Sequence, residues 1–450
     1  MKRIATILAL SILLVTGTRA QQGASNEGDP KRDQKSTDVQ LPIKAATPSL
    51  DAGDEELKKA VEELKSQLGG MDEMIKELQT DRDALKKIKV SGYMQINFEK
   101  SEKMTGFGAD PYDAKDAIKG RFRVRRSRIK IAYDGGSTTM VVQGDYSNSG
   151  FSLKDAYLEF TEQWSKMFSF RFGVFNRPNY EIEYSSSQRE SPERSAVVLA
   201  LYPGERDLGA MVTFAPEDLF KLQLAAFNNT FGGTFAQNGP NFGSEPLYFM
   251  GRVTKSLAVG DVGIDVGVHG RFGSIRANSG RVLESDMPTK GAFDSTSVKV
   301  GDAVSRNWFG AEVQVYYDFL GGMKLLAEYI TGSDVNALSA TPGTIRKRDF
   351  NGFYAMLVKN VGEEFQVAVK YDSYIPNATI SYDKIDVANE LTTNTLGFGI
   401  HNYTFSNVRL TLWYDMISTK TGGLVGSNGQ SLVSVDPKDN LLTFRAQYKF

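Results

Sequence analysis

The segment Phe168-Ser-Phe-Arg-Phe-Gly-Val174 decides the fold class, because apolar side chains alternate in it with small or polar ones. Successive residues of a β-strand point to opposite faces, so the three phenylalanines and Val174 share one face. Ser169, Arg171 and Gly173 share the other. A soluble β-sandwich alternates in the same way as a membrane barrel, so this pattern alone indicates strands without separating the two architectures.

The same period of two continues from residue 88 to the end of the chain. We identify sixteen such segments of about ten residues, which is the length that a tilted membrane-spanning strand needs. Their cores lie at 90–99, 121–133, 138–147, 152–161, 167–176, 206–215, 219–229, 247–256, 262–272, 306–318, 323–331, 350–359, 364–374, 393–405, 408–417 and 440–450.

The connections between these segments separate the two architectures. Links after even-numbered segments are short, as at 134–137 and 162–165. Links after odd-numbered segments are long, with 148–151 as the exception; they lie at about 100–120, 177–205, 230–246, 273–305, 332–349, 375–392 and 418–439. Short turns on one rim and long loops on the other are typical of outer-membrane barrels, whose closure leaves no unpaired edge in lipid. The sequence therefore predicts an all-β transmembrane barrel of about 16 antiparallel strands over residues 88–450, in the outer membrane of a Gram-negative bacterium.

The end of the chain agrees with this prediction. Apolar residues at alternate positions run from Leu442 to the terminal Phe450, with Arg445 among the polar residues between them. A terminal aromatic residue on an alternating strand resembles the C-terminal signal of outer-membrane barrel proteins. This resemblance implies that Tyr448 and Phe450 are recognised by the barrel-assembly machinery.

The N-terminus predicts export. Lys2 and Arg3 precede an apolar stretch from Ile4 to Val15, which is too short for a membrane-spanning helix of ~20 residues. Small residues follow at Thr18 and Ala20, as a signal peptidase requires. We predict a signal peptide at 1–20, and a flexible linker at 21–53, since that stretch is polar and without period.

Residues 54–87 show a helical period instead. Apolar residues recur at alternating spacings of four and three: Leu57, Val61, Leu64, Leu68, Met71, Ile75, Leu78 and Leu85. Such heptads predict a short N-terminal α-helical coiled coil, here in the periplasm, although Gly69 and Gly70 weaken its middle. A single amphipathic helix lying on its own domain is the alternative. The narrow apolar stripe favours the coiled coil, and with it association of three chains.

Composition excludes several kinds of function. The 450 residues carry 53 Lys and Arg against 54 Asp and Glu, a balance that argues against a nucleic-acid partner. Cysteine is absent, and the only histidines are His269 and His401, so thiolate sites, multi-histidine metal sites and histidine triads lack material. We therefore predict no enzyme, no cofactor and no metal.

Several pieces of the chain resemble the phosphate-selective porin O and P family. The arginine-rich strand Arg121-Phe-Arg-Val-Arg-Arg-Ser-Arg-Ile-Lys130 is similar to that family's second strand. Further similar pieces follow in the same order: Arg171-Phe-Gly-Val-Phe-Asn-Arg-Pro-Asn179, Glu181-Ile-Glu-Tyr-Ser-Ser-Ser187, Pro192-Glu-Arg-Ser195 and Glu205-Arg-Asp-Leu-Gly-Ala-Met-Val212. The specific resemblance covers about 120–215.

This resemblance implies a homotrimeric porin through which small ions and solutes, phosphate among them, diffuse passively. It implies that the loop at 177–205 folds into the lumen as a constriction. The predicted constriction residues are Arg177, Glu183, Arg189, Glu193 and Arg194. The alternative function is that of a structural protein or adhesin, anchored in the lipid by its barrel and tethering the outer membrane through its coiled coil.

The basic strand can also be interpreted without the resemblance. The phase of its apolar residues slips near Arg126, and a β-bulge there returns Arg128 and Lys130 to the lumen. Arginine facing lipid costs roughly 2–4 kcal/mol, so these groups face water. The predicted pore-lining, anion-guiding residues are Arg121, Arg123, Arg125, Arg126, Arg128, Lys130 and Arg171. The alternative is that they pair with lumenal carboxylates, for which the candidates are Asp145, Asp155, Glu159, Asp265, Glu312 and Asp372.

Overall fold

The computed structural model of the protein describes eleven stretches of the chain. They are 54–102, 120–147, 150–202, 204–228, 246–276, 281–283, 301–318, 321–337, 344–378, 392–419 and 440–450. The predicted signal peptide and linker, residues 1–53, lie outside the described residues.

Helix α1 (Asp54–Lys86) covers the predicted coiled-coil segment. The eight apolar heptad residues are exposed in the single chain, from 38% at Met71 to 63% at Leu68. A helix that leaves a complete apolar stripe in water needs a partner surface, so the predicted coiled coil stays a prediction that this exposure favours. In the described part of the chain, every helix is too short or too polar to cross a membrane.

Sixteen strands form a closed antiparallel barrel after this helix. They are β1 (Ile88–Ser101), β2 (Gly120–Asp134), β3 (Thr138–Ser147), β4 (Gly150–Thr161), β5 (Phe168–Asn176), β6 (Arg206–Phe214), β7 (Lys221–Phe227), β8 (Tyr248–Val259), β9 (Val262–Phe272), β13 (Asn307–Tyr317), β14 (Met323–Ala337), β15 (Thr344–Val361), β16 (Phe365–Ile375), β17 (Thr393–Asn402), β18 (Val408–Thr419) and β19 (Leu441–Lys449). Each pairs with its neighbours in this order, and β19 pairs with β1 to close the barrel. The predicted fold class is confirmed.

Three short strands lie between β9 and β13, where a long loop is predicted. β10 (Ser274–Arg276) pairs with β12 (Ala303–Ser305), and β11 (Arg281–Leu283) pairs in parallel with the start of β15. The prediction of a long loop at 332–349 is wrong. Strands β14 and β15 continue to pair into this range, as far as the pair of Ala337 with Ile345. The strand β11 adds a third, parallel partner to this hairpin over Thr344–Arg346.

The two faces of the barrel have opposite character. On β19, Thr443, Arg445 and Gln447 point inward and are at most 5% exposed, whereas Phe444 and Tyr448 point outward and are more than 40% exposed. A soluble sandwich buries its apolar face, so this inverted pattern distinguishes a barrel that contacts lipid. The outward apolar band therefore answers the question that alternation in the sequence left open.

Two β-bulges bring additional basic side chains into the lumen. On β2 the register shifts so that Gln95 pairs with Arg126 and Ile96 with Val124, which leaves Arg125 as the extra residue. On β4 a similar shift between Gln143 and Gly144 leaves Lys154 as the extra residue. The first bulge is the one that the apolar phase of the sequence predicts; the second is not among our predictions.

The connection between β5 and β6 lies inside the barrel. It contains two short helices, α2 (Tyr180–Glu183) and α3 (Ala196–Leu201), and most of its described residues are buried. We call residues 177–205 the inserted segment. Its side chains and backbone contact inward-facing residues of strands on opposite sides of the barrel, such as Arg125 of β2 and Arg252 of β8.

Candidate functional site

An apolar core holds one half of the inserted segment against the wall. Val197, Val198 and Leu201 of α3 are at most 3% exposed and pack in a cluster with wall aromatics such as Trp308 and Phe350. The indole nitrogen of Trp308 donates a hydrogen bond of 2.7 Å to the hydroxyl of Tyr202, which follows α3. Apolar packing inside a lumen that is otherwise polar fixes this half of the segment.

Gly352 makes room for this contact. A Cβ atom at Gly352 would lie 2.6 Å from the Cβ atom of Val197, a distance that real side chains do not adopt. The wall strand β15 can therefore approach α3 only because residue 352 has no side chain. Among the residues that fix the inserted segment, this glycine is one that our sequence argument did not identify.

Ion pairs hold the two ends and the middle of the segment. Arg177 pairs with Asp207 at 3.2 Å and donates to the hydroxyl of Tyr248 at 2.7 Å. Glu183 pairs with Arg252 of β8 at 2.5 Å. Glu193 accepts two hydrogen bonds of 2.7 Å from Arg125 of the basic strand, and Arg194 pairs with Glu205 within the segment at 2.9 Å. The predicted constriction residues Arg177, Glu183, Glu193 and Arg194 therefore each form an ion pair that holds the segment.

Carboxylates neutralise most of the positive charge of the basic strand. Arg121 and Arg123 both pair with Glu99 of β1, at 3.2 and 2.6 Å. Arg128 pairs with Asp145 at 2.9 Å, Arg171 pairs with Glu159 at 2.5 Å, and Arg126 lies 3.9 Å from Glu205. The alternative of pairing with lumenal carboxylates therefore describes these side chains, with Asp145 and Glu159 among the candidates it named. Lys130 borders a separate cavity beside Arg128 and Gln143.

Three buried arginines clamp the inserted segment without any carboxylate. Arg409 of β18 donates to the carbonyl oxygens of Gln188 and Arg189, and Arg445 of β19 donates to that of Pro192. Arg189 itself donates to the carbonyls of Ser191 and Pro192. In the described stretches these three guanidinium groups form no ion pair within 4 Å. Glu193 interacts with Arg189 and Arg445 only from beyond the distance of an ion pair.

The pKa values of the segment reflect this basic environment. The pKa of the Arg189 guanidinium is lowered to about 9 by its burial and then by the nearby Arg194 and Arg126. Burial alone would raise the pKa of the Glu193 carboxyl, but Arg125 outweighs it and holds that pKa well below its usual range. Glu205 is affected in the same direction, chiefly through Arg194. Acidic groups here stay ionised, and positive charge is in excess.

A cavity of about 290 Å³ lies between the basic strand and the inserted segment. Five basic side chains border it, together with Asp145 and Glu205: Arg125, Arg126, Arg128, Lys154 and Arg194. Counting also Glu193, which pairs with Arg125, the basic groups still exceed the acidic ones by two. Lys154 lies near Asp145 and Glu205 but forms no hydrogen bond and no ion pair within 4 Å with a described residue. One guanidinium nitrogen each of Arg126 and Arg194 has no hydrogen-bond partner there. We call this space the basic cavity.

Solved structures with a similar fold include a bacterial porin and a bacterial outer-membrane channel. The high-pH structure of OprB from Pseudomonas putida has a TM-score of 0.55 at 11% identity, covering 82% of this chain and 96% of that one. The anion-selective porin from Comamonas acidovorans and the channel DcaP from Acinetobacter baumannii each have a TM-score of 0.51 at 13% identity. Both cover 81% of this chain, and 99% and 97% of their own. This chain has the porin fold.

The sequence comparisons add no narrower assignment. No family model matches the chain, and no curated protein matches it. At 11–13% identity the likeness to the solved structures shows the fold alone. The resemblance to the phosphate-selective O and P family therefore stays a prediction.

Proposed function

We propose that the protein is an outer-membrane porin of a Gram-negative bacterium, through which small hydrophilic solutes diffuse passively with a preference for small anions such as phosphate. The observation that carries this proposal is the excess of positive charge around the basic cavity. A cluster of one sign of charge, surrounded by a wall of low dielectric constant, raises the local concentration of ions of the opposite sign.

The contacts of the inserted segment support its role as the constriction of this channel. Two short helices and their flanking residues occupy part of the lumen, and Arg125 on one wall and Arg252 on another pair with its glutamates. A segment held by ion pairs and an apolar core keeps one conformation, so it narrows the passage permanently. Charged groups that line such a narrow passage set ion selectivity.

The environment and assembly follow from the outer surfaces. The apolar outward face of the barrel provides the contact with outer-membrane lipid. The exposed heptad stripe of α1 supports a periplasmic coiled coil joining three chains into a homotrimer. Tyr448 and Phe450 are 46% and 54% exposed at the seam of the barrel, where the barrel-assembly machinery could reach them.

Planar-bilayer recording tests the proposal directly. Purified protein inserted into a bilayer is expected to give stepwise ion conductance, and a tenfold gradient of potassium chloride is expected to give a zero-current potential of the sign for anion preference. Potassium phosphate in place of the chloride salt measures whether phosphate passes. Conductance with cation preference would contradict the anion preference. A barrel that gives no ion conductance would favour the alternative of a structural protein or adhesin whose barrel only anchors the coiled coil in the membrane.

A further inference from the structure

Three ionisable side chains with metal-ligating atoms meet on adjacent strands at a second position in the barrel. They are His269 of β9, Glu312 of β13 and Glu328 of β14, and one ligand atom from each lies within 4.8 Å of the others. Their side chains are at most 3% exposed. The argument from composition excludes a site with several histidines, but a site with one histidine and two carboxylates needs only His269.

The charges of this cluster are not balanced. Glu312 and Glu328 are direct partners in the register of β13 and β14, and like charges in that position repel each other. Arg252 donates to Oε1 of Glu312 through Nε at 3.2 Å and Nη2 at 2.5 Å, but it also pairs with Glu183. Lys221, the next cation, lies 3.9 Å from Glu183. Three carboxylates thus share one close guanidinium and one more distant ammonium group.

Unpartnered atoms point to a missing ligand. Oε2 of Glu312, Oε2 of Glu328 and Nδ1 of His269 are buried and have no hydrogen-bond partner among the described residues. The other oxygen of Glu328 is held, since His269 Nε2 lies 2.8 Å from it and Asn179 of the inserted segment donates to it at 2.5 Å. Buried carboxylate oxygens without a donor are unfavourable, and a bound cation would satisfy them.

Two glycines give the ligands their space. A Cβ atom at Gly310 would lie 2.2 Å from Nε2 of His269, and one at Gly267 would lie 2.6 Å from Oε1 of Glu312. The imidazole ring and the carboxylate therefore lie directly over the backbone of neighbouring strands. Any larger residue at either position would displace a ligand.

We propose that His269, Glu312 and Glu328 bind one divalent transition-metal ion, and we use Zn²⁺ as the example and the probe. A neutral imidazole and two carboxylates are ligands of the type that Zn²⁺ accepts, at about 2.0–2.2 Å from the metal. Ligand atoms on a tetrahedral Zn²⁺ lie about 3.4 Å apart, so separations of up to 4.8 Å need to shorten by about 1.4 Å at most. The ion supplies positive charge to a cluster in which three carboxylates face only two cationic side chains.

Asn179 gives this site a connection to the constriction. Its side-chain nitrogen donates to Glu328, while its side-chain oxygen accepts a hydrogen bond of 3.2 Å from the backbone N–H of Ile182 in α2. In the metal-bound protein Asn179 orients a ligating carboxylate, as residues behind metal ligands commonly do. The metal site therefore ties three wall strands to the start of the inserted segment.

Metal analysis of the full-length protein tests the proposal. The protein is stripped with a chelator, incubated or refolded with Zn²⁺, desalted and analysed by mass spectrometry for bound metal. About one Zn²⁺ per chain is expected for the wild type, and at least about tenfold weaker binding for His269→Gln and Glu328→Gln. His401→Gln is the matched control, since it replaces the other histidine, which bonds to Thr411 on a different part of the wall.

Three results would overturn the proposal. They are a wild type that retains no zinc above the stripped protein, equal zinc in His269→Gln and wild type, and equal loss of zinc in the two histidine variants. Heat-modifiable migration on gels verifies that each variant folds. If a variant does not fold, Co²⁺ bound to the wild type gives the answer instead, because ligation by imidazole and carboxylates produces visible ligand-field absorption and unbound Co²⁺ does not change in spectrum.

Discussion

Lys154 provides the sharpest test of anion preference, because it is the cation of the basic cavity with no ionic partner among the described residues. The bulge on β4 directs it inward beside Arg128 and Asp145. Replacing Lys154 with glutamine removes one positive charge and leaves every described ion pair of the wall in place. The arginines of the basic strand lack this advantage, since removing Arg125, for example, leaves Glu193 without its partner.

Coulomb's law gives the magnitude of the effect. An anion passing about 6 Å from the Lys154 ammonium in a water-filled lumen gains about 0.7 kcal/mol, which is about a threefold increase in its occupancy. Lys154→Gln is therefore expected to lower anion occupancy about threefold, and Lys154→Glu about tenfold, because the sign of the charge is reversed. Both effects decrease at high ionic strength, where the Debye length falls to about 3 Å at 1 M salt.

The assay is the zero-current potential across a tenfold gradient of potassium chloride, at low and at high mean concentration. Lys166→Gln serves as the matched control, because Lys166 lies in the exposed turn between β4 and β5 and its loss changes the net charge equally. The expected order of anion preference is wild type and Lys166→Gln first, then Lys154→Gln, then Lys154→Glu. Equal potentials in Lys154→Glu and Lys166→Gln would refute the basic cavity as the source of selectivity.

Three further predictions concern stability and assembly. Gly352→Ala is expected to destabilise the barrel by about 1–3 kcal/mol through collision with Val197, and to lower its thermal transition on heat-modifiability gels, whereas Gly251→Ala, whose nearest neighbour is 3.4 Å away, is tolerated. Glu162 accepts hydrogen bonds from the Ser165 hydroxyl and from backbone N–H groups of its turn, and these bonds outweigh burial and lower its pKa to about 2. The stabilising effect of its carboxylate is therefore full above about pH 4.5 and is lost as the pH falls through about 2. The transition temperatures of wild type and Glu162→Gln should differ at pH 7 and converge at pH 2. Deleting 54–86 should leave a heat-modifiable barrel with weaker trimers, and trimers of unchanged stability on native gels would assign the helix another role.

The strands and their inward faces could be predicted from the sequence because they depend on local alternation. The bulge at Arg125 is an example: the apolar phase changes within β2, and the register of the structure changes at the same place. The bulge at Lys154 carries the same signal, since outward apolar residues change from Leu153 to Leu158, yet we did not predict it. A phase search applied to every strand would have found both.

The partners of the basic residues could not be predicted in this way. Glu99 meets Arg121 only through the register of β1 and β2, and Glu193 meets Arg125 only because the inserted segment folds back into the barrel. The apolar residues Val197 and Leu201 lie in a stretch that we interpreted as a charged loop, so their packing on the wall was missed. Contacts of this kind depend on tertiary structure, for which a single sequence contains no local pattern.

Different basic side chains hold the inserted segment and carry the proposed anion preference. Arg121 and Arg123 pair with Glu99 of the wall, whereas Arg125 pairs with Glu193 of the inserted segment. Substitution of Arg125 would therefore change both the contact that holds the inserted segment and the electric field in the lumen, and a change in conductance would not distinguish the two. Lys154 contributes to the field without holding the segment. We therefore expect Arg125 chiefly to fix the position of the inserted segment, and Lys154 chiefly to determine which ions the proposed channel favours.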